Sequence, residues 1–146
     1  MDFESGKWDK LRSAYKKSLG LPFCDKVNAY MRCLHWNAAV FELRTELTPD
    51  TYYRISRREL KNPKKNTIIA LCAGLGLDYR LSTDLLQSAG HSLSAFDEID
   101  NAHDYVLTEL HGQPLEVCNR ELVRRGIEPL GTKEHKRDKI GKKKIS

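Results

Sequence analysis

Between Thr48 and Lys65 the chain crowds together Asp50, Thr51, Tyr53, Arg54, Arg57, Arg58, Lys61, Lys64 and Lys65. These residue types recognise and bind; none of them is set up for bond-making chemistry. A guanidinium can donate two parallel hydrogen bonds to O6 and N7 of guanine, an aspartate can accept from N4 of cytosine, and lysine or arginine can neutralise phosphates. At about 100° per residue, Tyr52, Ile55 and Glu59 fall on one side of a helix, while Asp50, Arg54 and Arg57 fall on the other with Thr51 and Tyr53 beside them. Tyr52 and Ile55 read as core anchors, leaving the charged row outward. Asp50 and Arg54 stand four apart in the favourable order and can also pair with each other, for about 0.2–0.5 kcal/mol.

Other reactive residue types lack a setting. Cys24, Cys33, Cys72 and Cys118 form no close pair and no metal-ligand spacing, which suits reduced thiols in a cytoplasmic protein. Cys33 and His35 make a Cys-x-His fragment with no second pair nearby. The "GLG" at 74 to 76 lacks a third glycine and a preceding strand, so helix capping explains it better than a dinucleotide site. His103 falls on an apolar helix face and reads as a satisfied core histidine. Nothing here suggests an active site, a metal or a cofactor, so an enzyme is not expected.

The elements that must carry the basic cluster are helical. With 146 residues, abundant helix formers and no alternating β-branched run, the expected class is all-α. Trp8, Leu11 and Tyr15 mark a helix over about 6–18, and Phe23, Val27, Met31 and Leu34 mark a second. Asn37 is an N-cap for a third carrying Val40, Phe41, Leu43 and Leu47. Thr48 caps a fourth, with Pro49 at the first helical position, where its missing N–H costs nothing. Asn62-Pro63 is a turn. Ile68 to Leu75, then Leu81 to Leu86, then Phe96 to Leu110, then Leu115 to Leu122 supply the remaining helices. The start "MDFESGKWDK" has no apolar signal core, and no apolar run reaches membrane-spanning length.

Charge is segregated. Residues 54–65 set six cations against Glu59, a net +5, whereas residues 92–120 set six acids against Arg120, a net −5. Residues 132–146 hold seven cations against Glu134 and Asp138, again +5, with nothing apolar to bury, so a disordered basic tail is expected. Two basic blocks point to a polyanionic partner. The acidic, amphipathic stretch 96–122 is expected elsewhere on the surface, as a homodimer or protein-partner face.

From Asn37 to about Leu86 the chain resembles the lambda-repressor-like, or XRE-like, helix-turn-helix regulators. "NAAVFELRTELTPDTYYRIS" covers the two motif helices, and "RRELKNPKKNTIIALCAGLGLDYRL" is similar to the family's basic residue, Asn-Pro turn and apolar helix ending in Leu-Gly. The resemblance implies a transcriptional regulator placing the helix from Pro49 in the major groove of double-stranded DNA. It implies base contacts from Pro49, Asp50, Thr51, Tyr53 and Arg54, and phosphate contacts from Asn37, Thr48, Arg57, Arg58, Lys61, Lys64 and Lys65. The chain departs from the family with Glu42 in place of an alanine and Glu46 in place of the turn glycine. Those anions favour an alternative role as a protein-interaction module, antitoxin-like or adaptor, with little DNA specificity. The expected organisation is an N-terminal helix (1–20), a helix-turn-helix domain (21–90), a helical extension (91–131) and the basic tail (132–146).

Overall fold

The computed structural model describes residues 3–131, with side chains from Gly6 onward, so the expectation for 132–146 lies outside the described residues. The described chain is all-helical: α1 (Phe3–Lys17), α2 (Phe23–Cys33), α3 (Ala38–Thr45), α4 (Pro49–Ser56), α5 (Lys65–Leu75), α6 (Tyr79–Ser88), α7 (Glu98–Thr108) and α8 (Leu115–Arg124). The capping chemistry works as the residue types dictate. Asn37 accepts from the Val40 N–H at 2.9 Å, Thr48 from Thr51, Asp78 from Leu81 and Asp97 from Asp100, each satisfying a donor that the first helical turn cannot.

Helix α5 is the hub. Ile68, Ile69, Ala70, Leu71, Cys72 and Leu75 are all buried, because the helix packs against α3, α6, α7 and α8 at once. Its Gly74 closes no helix: Gly76, at φ +75, is the terminating residue, and Gly74 lies two residues before it, still within α5. A Cβ at Gly74 would sit 2.7 Å from the Arg44 carbonyl oxygen and 2.8 Å from Thr45 Cγ2. The missing side chain is what lets the end of α3 press onto α5.

The helices end in left-handed residues of two kinds. α1, α5, α6 and α8 are followed by left-handed glycines (Gly20, Gly76, Gly90, Gly126), but α2, α3 and α4 finish in His35 (φ 57), Glu46 (φ 57) and Arg58 (φ 60). A left-handed residue bearing a Cβ costs about 1–2 kcal/mol, whereas glycine tolerates it. Glu46→Gly should therefore raise stability by about 0.5–1 kcal/mol after the greater freedom of glycine in the unfolded chain is subtracted. Urea unfolding with an unchanged slope and a higher midpoint is the expected reading; a lower midpoint would mean that the Glu46 side chain contributes more than its backbone costs.

Two apolar faces differ from expectation. Phe96 lies outside α7 and is 99 % exposed, and Ile99 is 53 % exposed, because the Asp97 cap starts the helix late and turns Asp100, Ala102, His103, Val106 and Leu107 inward. Leu43 on α3 is likewise 72 % exposed, leaving Phe41 as that helix's buried aromatic. His103 is buried, but it is not satisfied: neither ring nitrogen has a hydrogen-bond partner. Burial holds its pKa below the ordinary 6.5, with the nearby Asp100 opposing the shift only in part. The unfolded chain thus binds a proton before the folded one does, so this contribution to stability is complete above pH 6.5 and is lost as pH falls toward the folded value. His103→Leu should flatten the pH dependence of the unfolding midpoint below that point.

The described chain ends in a seated strap. Asn119 accepts from the Leu130 N–H at 2.7 Å and donates to the Leu130 carbonyl at 3.1 Å, while Asn66 donates to Pro129. Leu130 is fully buried. Gly131, at φ +95, abuts Glu46 so closely that a Cβ on it would lie 2.6 Å from the Glu46 Cβ.

Candidate nucleic-acid interface

The basic cluster is presented by α4, a helix of eight residues. Ile55 is its one side chain at 0 % exposure, and Tyr52 is half-buried. A chain of edge-to-face rings passes through buried Phe41 to the surface: Trp36 to Phe41 (6.4 Å), Phe41 to Tyr52 (5.4 Å) and Tyr52 to Tyr53 (5.2 Å). The Arg57 guanidinium then lies 5.9 Å from the Tyr53 ring centre. Tyr53 thereby belongs both to the packing and to the surface, at 47 % exposure.

α4 is separated from α3 by one tight turn. Thr45, fully buried, donates to the Phe41 carbonyl at 2.7 Å and accepts from the Leu47 N–H at 3.2 Å. The chain reverses through left-handed Glu46, buries Leu47, and restarts at Thr48, whose hydroxyl lies 3.2 Å from that of Thr51. Thr45 did not stand out in the sequence. Its only signal is a small hydroxyl residue at the end of an apolar helix, a position many threonines occupy without consequence.

The other end of α4 is braced by α2, which sequence reasoning also passed over. Asn28 donates to the Ile55 carbonyl at 3.0 Å, Asp25 takes the Arg58 Nε–H at 2.6 Å, and the Cys24 thiol reaches the Leu60 carbonyl at 3.4 Å. Arg58 adopts the left-handed conformation that ends α4, its own N–H meeting the Ile55 carbonyl and the next N–H meeting that of Arg54. The basic loop is fixed further along, where the His91 ring lies 2.9 Å from the Pro63 carbonyl.

Asp50, Tyr53 and Arg54 are exposed on α4, with Pro49 and Thr51 partly covered. The ion pairs among the described residues include none between Asp50 and Arg54. Asn37, Arg57, Lys61 and Lys64 are exposed, and Thr48 is partly covered. Arg58 and Lys65 are engaged by carboxylates: Arg58 by Asp25, and Lys65 by Asp100 at 3.0 Å. The second pair corrects the expectation that the acidic stretch stands wholly apart from the basic one, since Asp100 is buried against the start of α5. Burial works against its charge, but the Ser94 N–H and Lys65 outweigh burial and hold its pKa below the ordinary carboxylate value.

No protein-family model, curated protein or solved structure matches this chain. The chemistry of the described residues adds no activated group. Burial raises the pKa of all four thiols, that of Cys72 to about 12, so none is poised as a thiolate. Among the described residues no His, Cys, Asp or Glu cluster could hold a metal ion, and no helix is long and apolar enough to cross a membrane.

Proposed function

We propose that this chain is a DNA-binding transcriptional regulator of helix-turn-helix type that lays α4 in the major groove of a duplex. The observation supporting this reading most directly is the form of α4: short, capped at Thr48, anchored by Ile55, and exposing Asp50, Tyr53 and Arg54 one tight turn after α3. In this arrangement the first helix of the pair braces against the backbone and the second reads base edges. Arg57, Lys61 and Lys64 meet phosphates, and residues 132–146 add affinity that ignores sequence. Self-association through 96–122 would set two half-sites about 34–36 Å apart; exposed Phe96 and Ile99 are the apolar part of that surface.

One observation favours a protein-interaction role instead. Two of the cations nearest α4 and α5, Arg58 and Lys65, already have carboxylate partners and would have to leave them to meet phosphate.

Duplex titration at two salt concentrations separates the readings. For a regulator, Arg54→Ala should cost about 1–3 kcal/mol and relax preference at a single base position. Removal of residues 132–146 should weaken binding to every sequence alike and reduce the salt slope, which runs at about −0.9 per phosphate neutralised. Weak binding that vanishes altogether with the tail would identify an interaction module, and loss of sequence preference on removing the tail would reverse the roles assigned to tail and helix.

A further inference from the structure

A groove of about 600 Å³ runs between α1 and α2 on the face of α2 that braces α4. Its volume falls within the range of about 300–1,000 Å³ typical of small-molecule sites. The floor includes Ala14, Ala29 and Leu21, the last 44 % exposed at the turn between the two helices. Around it stand four cations, Lys10, Lys17, Arg32 and Arg58, against only Asp9 and Asp25. An apolar floor inside a cationic rim is complementary to one kind of molecule, an apolar body ending in an anion.

The groove shares residues with the brace. Asp25 and Asn28 line it and are the residues that hold Arg58 and the Ile55 carbonyl. The Arg58–Asp25 contact uses Nε–H alone, on a side chain that is 69 % exposed. A carboxylate presented from the groove can instead take the guanidinium as a two-pronged partner, a stronger geometry than a single contact.

We propose that this groove binds a small amphipathic carboxylate, which draws Arg58 away from Asp25 and thereby changes the set of the α4 C-terminal end. Ligand binding stands independently of the nucleic-acid reading; only the consequence for a duplex rests on it.

Octanoate is a suitable probe, followed by amide NMR in the full chain, with octan-1-ol as the uncharged arm and octylamine as the cationic arm. Saturable octanoate shifts are expected at Ala14, Ala29 and Arg58 and along Arg54 to Glu59. Octan-1-ol should bind roughly tenfold more weakly, as should octanoate to Arg58→Gln. Arg32→Gln weakens octanoate at the rim, and Ala29→Leu fills the floor and blocks the probe while leaving α4 intact, so the proposal does not depend on one variant. Equal affinity for the alcohol, shifts centred elsewhere, or no saturation at concentrations of order 10 mM would overturn it.

The duplex arm compares affinity with and without saturating octanoate in the wild type and in Ala29→Leu. A response in the first and none in the second is expected. Shifts confined to α1 and α2, with none along Arg54 to Glu59, would overturn the coupling to α4. Octanoate binding with the expected shifts, in a chain that binds no duplex, would uphold the groove and sink the nucleic-acid reading instead.

Discussion

Ile55→Ala should lower stability by about 2–5 kcal/mol, the range for truncating a large aliphatic side chain in a packed interior. Ile55 has no exposure at all, and it is the one wholly buried side chain that α4 contributes. Tyr52 is only half-buried, and the Asn28 contact to the Ile55 carbonyl survives the change, so α4 would keep its brace and lose its anchor. Ile55→Val, which removes a single methyl group, should cost only about 0.5–1.5 kcal/mol. On the proposed function the alanine variant also binds duplex less tightly than its folded fraction accounts for, because the exposed row is no longer held at one angle. Urea unfolding and duplex titration on the same samples check both statements. A loss below about 0.5 kcal/mol would mean that α4 is not seated through Ile55.

Asn119→Ala should cost about 2–4 kcal/mol, because both the N–H and the carbonyl of buried Leu130 lose their partner and neither is reached easily by water. Asn119→Asp separates hydrogen bonding from packing. It keeps an acceptor for the Leu130 N–H but turns an oxygen toward the Leu130 carbonyl, and should destabilise about as much as alanine. Faster cleavage by trypsin at Arg124 and Arg125 is expected in both, since the strap that follows them is released. A variant with native unfolding and native cleavage would show that the strap is held by Leu130 burial alone.

Much of this architecture was legible because it depends on local rules. Asn37, Thr48-Pro49 and the Asn62-Pro63 turn each carry a backbone signal that does not need the rest of the molecule, and each stands where its chemistry requires. The apolar run of α5 declared a buried helix. The outward row of α4 followed from the two anchors opposite it. What stayed hidden was long-range. Nothing near Asn28 or Asp25 reveals that they meet a segment some thirty residues later, and nothing near Asn119 reveals its pairing with Leu130. Gly74 reads as a helix end in the sequence because its real partner, the Arg44 carbonyl, belongs to another element. Phe96 and Ile99 went astray for a related reason: the period placed them inward, but the Asp97 cap and the salt bridge from Asp100 to Lys65 set the rotation of α7.

The close seat of Gly131 on Glu46 has a practical consequence for oligonucleotide design. Residues 132–146 lie beyond that point, and at about 3.3–3.6 Å per residue a stretch of that length can reach at most about 50 Å, or roughly 15 base pairs at 3.4 Å per step. Gly131 rests on Glu46, which stands two residues before the Thr48 cap of α4, so on the proposed function the tail and α4 act as joined ligands with an effective concentration of order millimolar. A probe trimmed to the footprint of α4 will then under-report affinity, and lengthening it by about one tail span on each flank should raise affinity up to a plateau.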